Sequence, residues 1–370
     1  SVKSERGVVW GDYSKMFSMV VSSPHRACWI LAACVGMAWM FSQAASASPI
    51  WTASRPGDAA MILAVSPDLN GDSRPELLAG YDSGALVCWD STPPSPPLPH
   101  WSTDLGSAAL ALLPVADVNA DGKRDLVAAD ILGNVRCMTA EGDGAGTILW
   151  SFASASAIAV LESVPDLTGD GVAEVIAGGS EQVLFLRNGR TGAAIWSRDL
   201  VGMGGYAYLH RIVVGDDLNA DGEPDAVFLD WNGRVQAFRV TTGASIWSKS
   251  VTSGFTEAMA RLGDVSGDGR SEFAAGGNNK EVRLVSGLDG TQRWSCALGR
   301  PVRAIVAVPY LNDDAMTDCV AVTAGGRVAA ISGAGTGTRT PLWSADMGDA
   351  CRAVVSPGDL DGDGLADVVA

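Results

Sequence analysis

Seven short stretches carry oxygen-bearing side chains at alternate positions, ending in an acid that opens an apolar run. The clearest reads DVNADGKRD, with Asp117, Asn119, Asp121 and Asp125 at positions 1, 3, 5 and 9. The same positions hold Asp68, Asn70, Asp72 and Glu76; Asp166, Thr168, Asp170 and Glu174; and Asp217, Asn219, Asp221 and Asp225. They recur as Asp264, Ser266, Asp268 and Glu272, and as Asp359, Asp361, Asp363 and Asp367. The stretch 310–318 is degraded: Tyr310 stands first, Ala315 and Met316 occupy the usual Gly region, and Asn312, Asp314 and Asp318 remain. These side chains, with a backbone carbonyl at position 7, form a hard oxygen shell. Such a shell suits Ca²⁺, which takes six to eight oxygens in loose geometry, better than Mg²⁺, which keeps its waters. An EF-hand would close on a bidentate acid at position twelve; these loops close at nine. Gly at position 6 permits a tight turn. A bare Asp/Asn/Gly turn is the competing reading, but clustered carboxylates repel one another without a cation. The six complete loops are therefore expected to bind Ca²⁺, and the stretch at 310–318 to bind it weakly or not at all.

Such loops need a repeated scaffold. Their first positions, 68, 117, 166, 217, 264, 310 and 359, lie 46 to 51 residues apart. A Trp keeps the same beat at Trp51, Trp101, Trp150, Trp196, Trp247, Trp294 and Trp343. Within 158–197, IAVLESV, AEVIAGG, QVLFLRN and AAIWS read as four short strands separated by the acid loop and Gly-rich turns. Four strands per repeat of this length predict an all-β fold, a seven-bladed β-propeller of four-stranded blades. A β-solenoid is the alternative, with shorter repeats and fewer turns. The N-terminal SPIWTAS is expected to complete the last blade, whose own third strand is missing; a longer chain would allow an eighth blade.

Composition limits the rest. Of 370 residues 47% are hydrophobic, enough for a large core, and the net charge is −16. Nucleic acid, which needs a basic face, is excluded as a partner. Residues 1–47 are expected to be a signal peptide with upstream residues: Arg26 precedes a short apolar run, and small residues lead to cleavage after Ala47. The run is short of a stable membrane span, an uncleaved anchor being the alternative. That leaves 48–370 as the repeat domain of a secreted, extracellular or periplasmic protein. Cys88, Cys137, Cys296, Cys319 and Cys351 are odd in number and widely spaced, which argues against a disulfide scaffold; Cys88 and Cys137 read as buried.

On these loops the chain resembles the FG-GAP/VCBS repeat family, the integrin α-subunit-like propellers, over roughly 49–370. FG-GAP dipeptides are not evident, so the likeness rests on the DxNxDGxxD loops. The resemblance implies a seven-bladed propeller with Ca²⁺ between first and second strands on one face and ligands on the other. The TGAAIW and TTGASIW ends resemble quinoprotein (PQQ-dependent) propeller repeats, in which the Trp docks between blades. The vicinal Cys pair of a PQQ dehydrogenase is absent.

No converging acid, base and nucleophile stands out in the sequence. The expected function is a binding or adhesion module for a protein or glycan, acting through the face opposite the acid loops. Candidate ligand residues there are Tyr206, Tyr208 and His210 in an unusually long connection, Trp231 in the next blade, and Arg300 and Arg303. The alternative is a propeller enzyme, either a calcium-dependent polysaccharide lyase or a PQQ-dependent dehydrogenase.

Overall fold

The alternating apolar runs form strands because β-branched and small residues fill both faces of short, turn-bounded segments. In the computed structural model the described residues are 57–66, 76–89, 99–140, 145–180, 183–200, 208–251, 255–309, 311–312, 314, 316–348, 353–358 and 367–369. The expected signal peptide (1–47), the Trp51 strand, Asp68, Asn70, Asp72, Asp359, Asp361, Asp363, Tyr206 and Cys351 lie outside them, as does the side chain of Asp367. No helix occurs among the described residues, so none is long and apolar enough to cross a membrane.

Six four-stranded antiparallel sheets follow one another along the chain. The first holds β1 (Ala60–Ser66), β2 (Glu76–Tyr81), β3 (Ala85–Trp89) and β4 (Pro99–Asp104). The second holds β5 (Ala109–Val115), β6 (Asp125–Asp130), β7 (Asn134–Thr139) and β8 (Ile148–Ala153). The third holds β9 (Ile158–Val164), β10 (Glu174–Gly179), β11 (Val183–Arg187) and β12 (Ala194–Asp199). The fourth holds β13 (Leu209–Val214), β14 (Asp225–Asp230), β15 (Arg234–Arg239) and β16 (Ser245–Ser250). The fifth holds β17 (Thr256–Gly263), β18 (Glu272–Gly277), β19 (Glu281–Ser286) and β20 (Gln292–Ala297). In the sixth, β21 (Val302–Pro309), β22 (Thr317–Thr323) and β23 (Arg327–Ile331) are followed by β24 (Gly337–Arg339) before β25 (Trp343–Asp346) completes the sheet. β26 (Val355–Gly358) and β27 (Asp367–Val369) begin a seventh.

Each sheet is a simple meander in which the first strand packs against the first strand of the next sheet. The second strands DLVAAD, EVIAGG, DAVFLD and EFAAGG are buried throughout, whereas the fourth strands are largely exposed at the rim. These are blades of a β-propeller, with the core in layers between neighbouring blades. One layer joins Val127, Cys137 and Trp150 of the second blade to Ile158, Val172 and Val175 of the third. Gly178 marks how close two blades come: a Cβ there would lie 2.6 Å from Leu209 Cδ1. Cys88, Cys137, Cys296 and Cys319 are buried free thiols, Cys88 and Cys137 facing Trp101 and Trp150 across equivalent strand pairs.

The Trp residues sit in fourth strands and reach forward to the next blade. Trp150, Trp196, Trp247 and Trp294 donate their indole N–H to the carbonyls of Gly189 (2.7 Å), Val240 (2.8 Å), Gly287 (2.6 Å) and Gly333 (3.1 Å). Each acceptor lies in the turn between third and fourth strands. The interblade docking implied by the quinoprotein-like ends is thus present. A second tie joins the fifth and sixth blades: β24 leaves its own blade and pairs in parallel with β20, Trp294 opposite Gly337.

Candidate functional site

The acid loops run from the first to the second strand of a blade, and the ninth-position acid is the first residue of the second strand: Glu76, Asp125, Glu174, Asp225, Glu272 and Asp367. Four complete loops, 117–125, 166–174, 217–225 and 264–272, are described throughout. The first acid curls the loop around its carboxylate. Asp117 accepts the N–H of Asp121 at 3.2 Å and Gly122 at 2.7 Å. Asp217 and Asp264 repeat the pattern, and Asp166 accepts from Gly169 and Gly171 at 2.7 Å each. These N–H groups hold Asp166 and Asp217 below the ordinary carboxylate range. The fifth-position acids Asp121, Asp170, Asp221 and Asp268 each accept the N–H two residues on. Gly122, Gly171, Gly222 and Gly269 take φ of 83–89°, the left-handed conformation expected at position 6.

Hydrogen bonds of this kind would shape a turn with no ion in it. The ninth acid is different. Asp125, Glu174 and Glu272 are 0–1% exposed. One oxygen of each accepts the second-position N–H: Val118 at 2.7 Å, Leu167 at 3.1 Å and Val265 at 2.9 Å. The other oxygen, Asp125 Oδ1, Glu174 Oε2 or Glu272 Oε1, is buried with no hydrogen-bond partner among the described residues. Arg293 Nη1 lies 3.8 Å from Glu272 Oε1, beyond hydrogen-bond distance. In the fourth blade Asn219 Nδ2 covers both oxygens of Asp225, and Asn219 Oδ1 is the buried atom without a partner. Burial pushes Asp125 and Asp225 up to about 6, helped by the neighbouring Asp121 and Asp117, or Asp221 and Asp217. Burial also raises Glu174 and Glu272. In the fifth blade an oxygen from each of Asp264, Asp268 and Glu272 lies within 4.8 Å of the others. A buried carboxylate oxygen without a donor is costly. A hard cation at the loop centre would satisfy it, so the residues present fit Ca²⁺.

Of the loop at 310–318, residues 311, 312, 314 and 316–318 are described, and Asn312 and Asp314 each accept the N–H two residues on, as Asn119 and Asp121 do. Asp314 accepts the Ser332 hydroxyl at 3.2 Å, and Asp318 accepts the N–H of Gly333 at 3.0 Å through Oδ1, while its Oδ2 is buried with no hydrogen-bond partner among the described residues.

At the far end of the blades lie the second-to-third and fourth-to-first connections. There Tyr208, His210 and Trp231 come together, with ring centroids 5.2–5.6 Å apart. Phe255, 50% exposed, joins them 4.8 Å from Trp231. The sequence reading missed Phe255 because it is a lone aromatic one blade away, brought in only when β17 packs beside β13. Arg300, about half exposed, bonds to the Gly325 carbonyl and lies 3.6 Å from Asp346 of its own blade; Arg303 lies in β21. Asp130 and Asp230, which the acid-loop pattern did not single out, close second-to-third turns by accepting the N–H groups of Asn134 and Arg234 at 2.8 Å.

Comparison with known proteins agrees with this architecture. Residues 311–370 match the FG-GAP-like repeat model. No curated protein sequence matches the chain. Among solved structures, Saccharomyces cerevisiae Sqt1 superposes with a TM-score of 0.64 at 13% identity, over 79% of this chain and 76% of that one. BBS1N, crystallised in complex with ARL6DN, gives 0.57 at 14% identity, over 84% of this chain and 94% of its own. Both are β-propellers, and at such identity the likeness speaks for the fold alone. The chain is therefore a β-propeller that carries an FG-GAP-like repeat over residues 311–370.

Proposed function

We propose that this protein is a secreted, calcium-stabilised β-propeller that binds a protein ligand through the face opposite its acid loops. The ninth-position acid carries the calcium reading. Asp125 and Glu174 each bury an oxygen that no donor reaches among the described residues, inside a loop of further oxygens. A turn needs no such atom; a Ca²⁺ shell does. Equilibrium dialysis against Ca²⁺ tests it: several ions should bind per chain, and Asp125→Asn should remove one. A chain that binds none would leave the loops as turns.

The ligand reading rests on the cluster of Tyr208, His210, Trp231 and Phe255. Aromatic groups held at blade connections suit recognition. The propeller BBS1N is crystallised with a protein partner, which favours a protein over the glycan alternative. Screening the purified domain against extracellular proteins and glycans, with Trp231→Ala beside the wild type, decides the matter: a true ligand loses affinity on the variant. Secretion is tested by N-terminal sequencing of the exported protein, which should begin at Ser48.

A further inference from the structure

The acid loop of a blade and its third-to-fourth turn lie at the same end of the meander, and that turn also receives the indole of the preceding blade. In three blades one residue joins the two. Asn188 donates its Nδ2 to Asp170 Oδ2 at 2.6 Å and to Thr168 Oγ1 at 2.9 Å. Its Oδ1 accepts Thr191 N–H and Oγ1–H, which fixes the amide orientation. The next residue, Gly189, offers the carbonyl that holds Trp150. In the fourth blade Arg239 lies 3.4 Å from Asp221, and the next carbonyl, Val240, holds Trp196. In the sixth blade Ser332 bonds Asp314, and the next carbonyl, Gly333, holds Trp294. Asp170, Asp221 and Asp314 all occupy position 5 of their loops. Three different side chains, an amide, a guanidinium and a hydroxyl, thus make the same connection. The fifth blade differs: Ser286 precedes the acceptor Gly287 and, like Ser332, accepts the N–H two residues on, but no hydrogen bond joins it to Asp268 among the described residues.

We propose that Asn188 and Arg239, each one residue before an indole-accepting carbonyl, are positioning residues that couple cation loading of their own blade's loop to the Trp latch of the preceding blade. The inference rests on the calcium reading above. A cation drawing the fifth-position carboxylate inward changes that acid's contact with Asn188 or Arg239. Either residue is one peptide from the carbonyl that grips the indole, so the turn and the latch respond together. Loading of the third and fourth blades is then felt at Trp150 and Trp196. Trp247, docked on the fifth blade, responds least.

The test is ¹⁹F NMR of the full chain labelled with 5-fluorotryptophan, its resonances assigned by single Trp→Phe variants and titrated with CaCl₂, while bound calcium is counted by dialysis. The Trp150 and Trp196 resonances should shift as ions bind, and that of Trp247 much less. Arg239 is half exposed, so Arg239→Ala leaves the fold intact; it should abolish the Trp196 shift and spare that of Trp150. Arg239→Lys should restore it in part. Calcium binding with the indole resonances unmoved, or a Trp196 shift untouched by Arg239→Ala, overturns the coupling alone. Absence of bound calcium overturns the calcium reading itself.

Discussion

The fifth and sixth blades occupy equivalent places in the repeat and solve the same problem differently. In the fifth, Asp264, Asp268 and Glu272 converge, and Glu272 keeps a buried oxygen free of hydrogen-bond donors among the described residues. In the sixth, Ser332 donates to Asp314 and Gly333 to one oxygen of Asp318, whose other oxygen, Oδ2, is likewise buried without a hydrogen-bond partner among the described residues. The sixth blade also carries an extra strand, β24, that pairs in parallel with the edge of the fifth. Both ninth-position acids are buried; what separates the blades is the ligand set, since the fifth has acids at positions 1, 5 and 9 and the sixth has Tyr310 at position 1. A repeat can lose its first-position acid while an added strand braces the seam.

The largest break in that comparison is removal of calcium. At free calcium a hundredfold above Kd each site contributes about 2.7 kcal/mol, and a domain of this size shifts by about 2–4 °C per kcal/mol. Chelator should therefore lower the melting temperature by more than about 10 °C. Calorimetry with and without EGTA measures it, and an unchanged melt would remove calcium from the account of stability.

Next comes the seam between the two blades. Trp294 is fully buried, bonded to Gly333 and opposite β24. Trp294→Ala should cost about 3–5 kcal/mol, in calcium or in chelator alike. Trp343, the corresponding Trp of the sixth blade, is 42% exposed, and Trp343→Ala should change stability by about 0.5 kcal/mol or less. Chemical denaturation of both variants compares them directly.

A finer cut exchanges single acids. Glu272→Gln should remove one bound ion and cost about 2–3 kcal/mol in calcium. In chelator it should be neutral or slightly stabilising, because a buried charge is gone. Asp318→Asn should leave the ion count unchanged. Equal loss of ions from both variants would erase the distinction between the blades.

The pH profile sharpens the same point. Asp125 and Asp225 sit at about 6 in the folded chain, against about 3.9 unfolded. Between those values the folded state holds more protons. Without calcium, stability contributed by these groups is present at low pH and falls as pH rises from about 4 to about 6. With calcium the slope should reverse over the same range, since ligation needs the deprotonated acids. Melting temperatures across that range in EGTA and in calcium give the two curves.

The smallest effect concerns position 4. Ala120 and Ala220 hold φ near 62–63°, where Gly169 and Gly267 do so without strain. Ala120→Gly should stabilise by about 1 kcal/mol or less, and a gain in calcium affinity would show that loop strain also tunes the site.

Much of this was legible in the sequence because it recurs. The loops announced the first-to-second hairpins, and the Trp beat announced the fourth strands, their interblade docking being implied by the likeness of the TGAAIW-type ends to quinoprotein repeats. What the spacing could not supply was pairing across the meander. Asn188 lies 18 residues from Asp170, and nothing in RNGRTG marks it as a partner of an acid loop. β24 lies in GAGTGTRT, which lacks the alternation that reveals a strand. The exposed ring of Phe255 joined Trp231 only through the packing of consecutive blades. Nor does the spacing reveal that Arg300 bonds to the Gly325 carbonyl and lies beside Asp346 of its own blade.

The indole latches all point one way. Each blade from the second to the fifth reaches forward to the blade after it. A ring joined by such one-way clasps has a polarity that its near-identical units conceal. On the proposed coupling, a lesion in the acid loop of the third or fourth blade loosens the carbonyl that the preceding Trp grips, so the damage travels toward the N-terminus, against the order in which the chain is made. During synthesis each emerging blade fastens the one already built, so the growing structure is closed from behind, one clasp at a time.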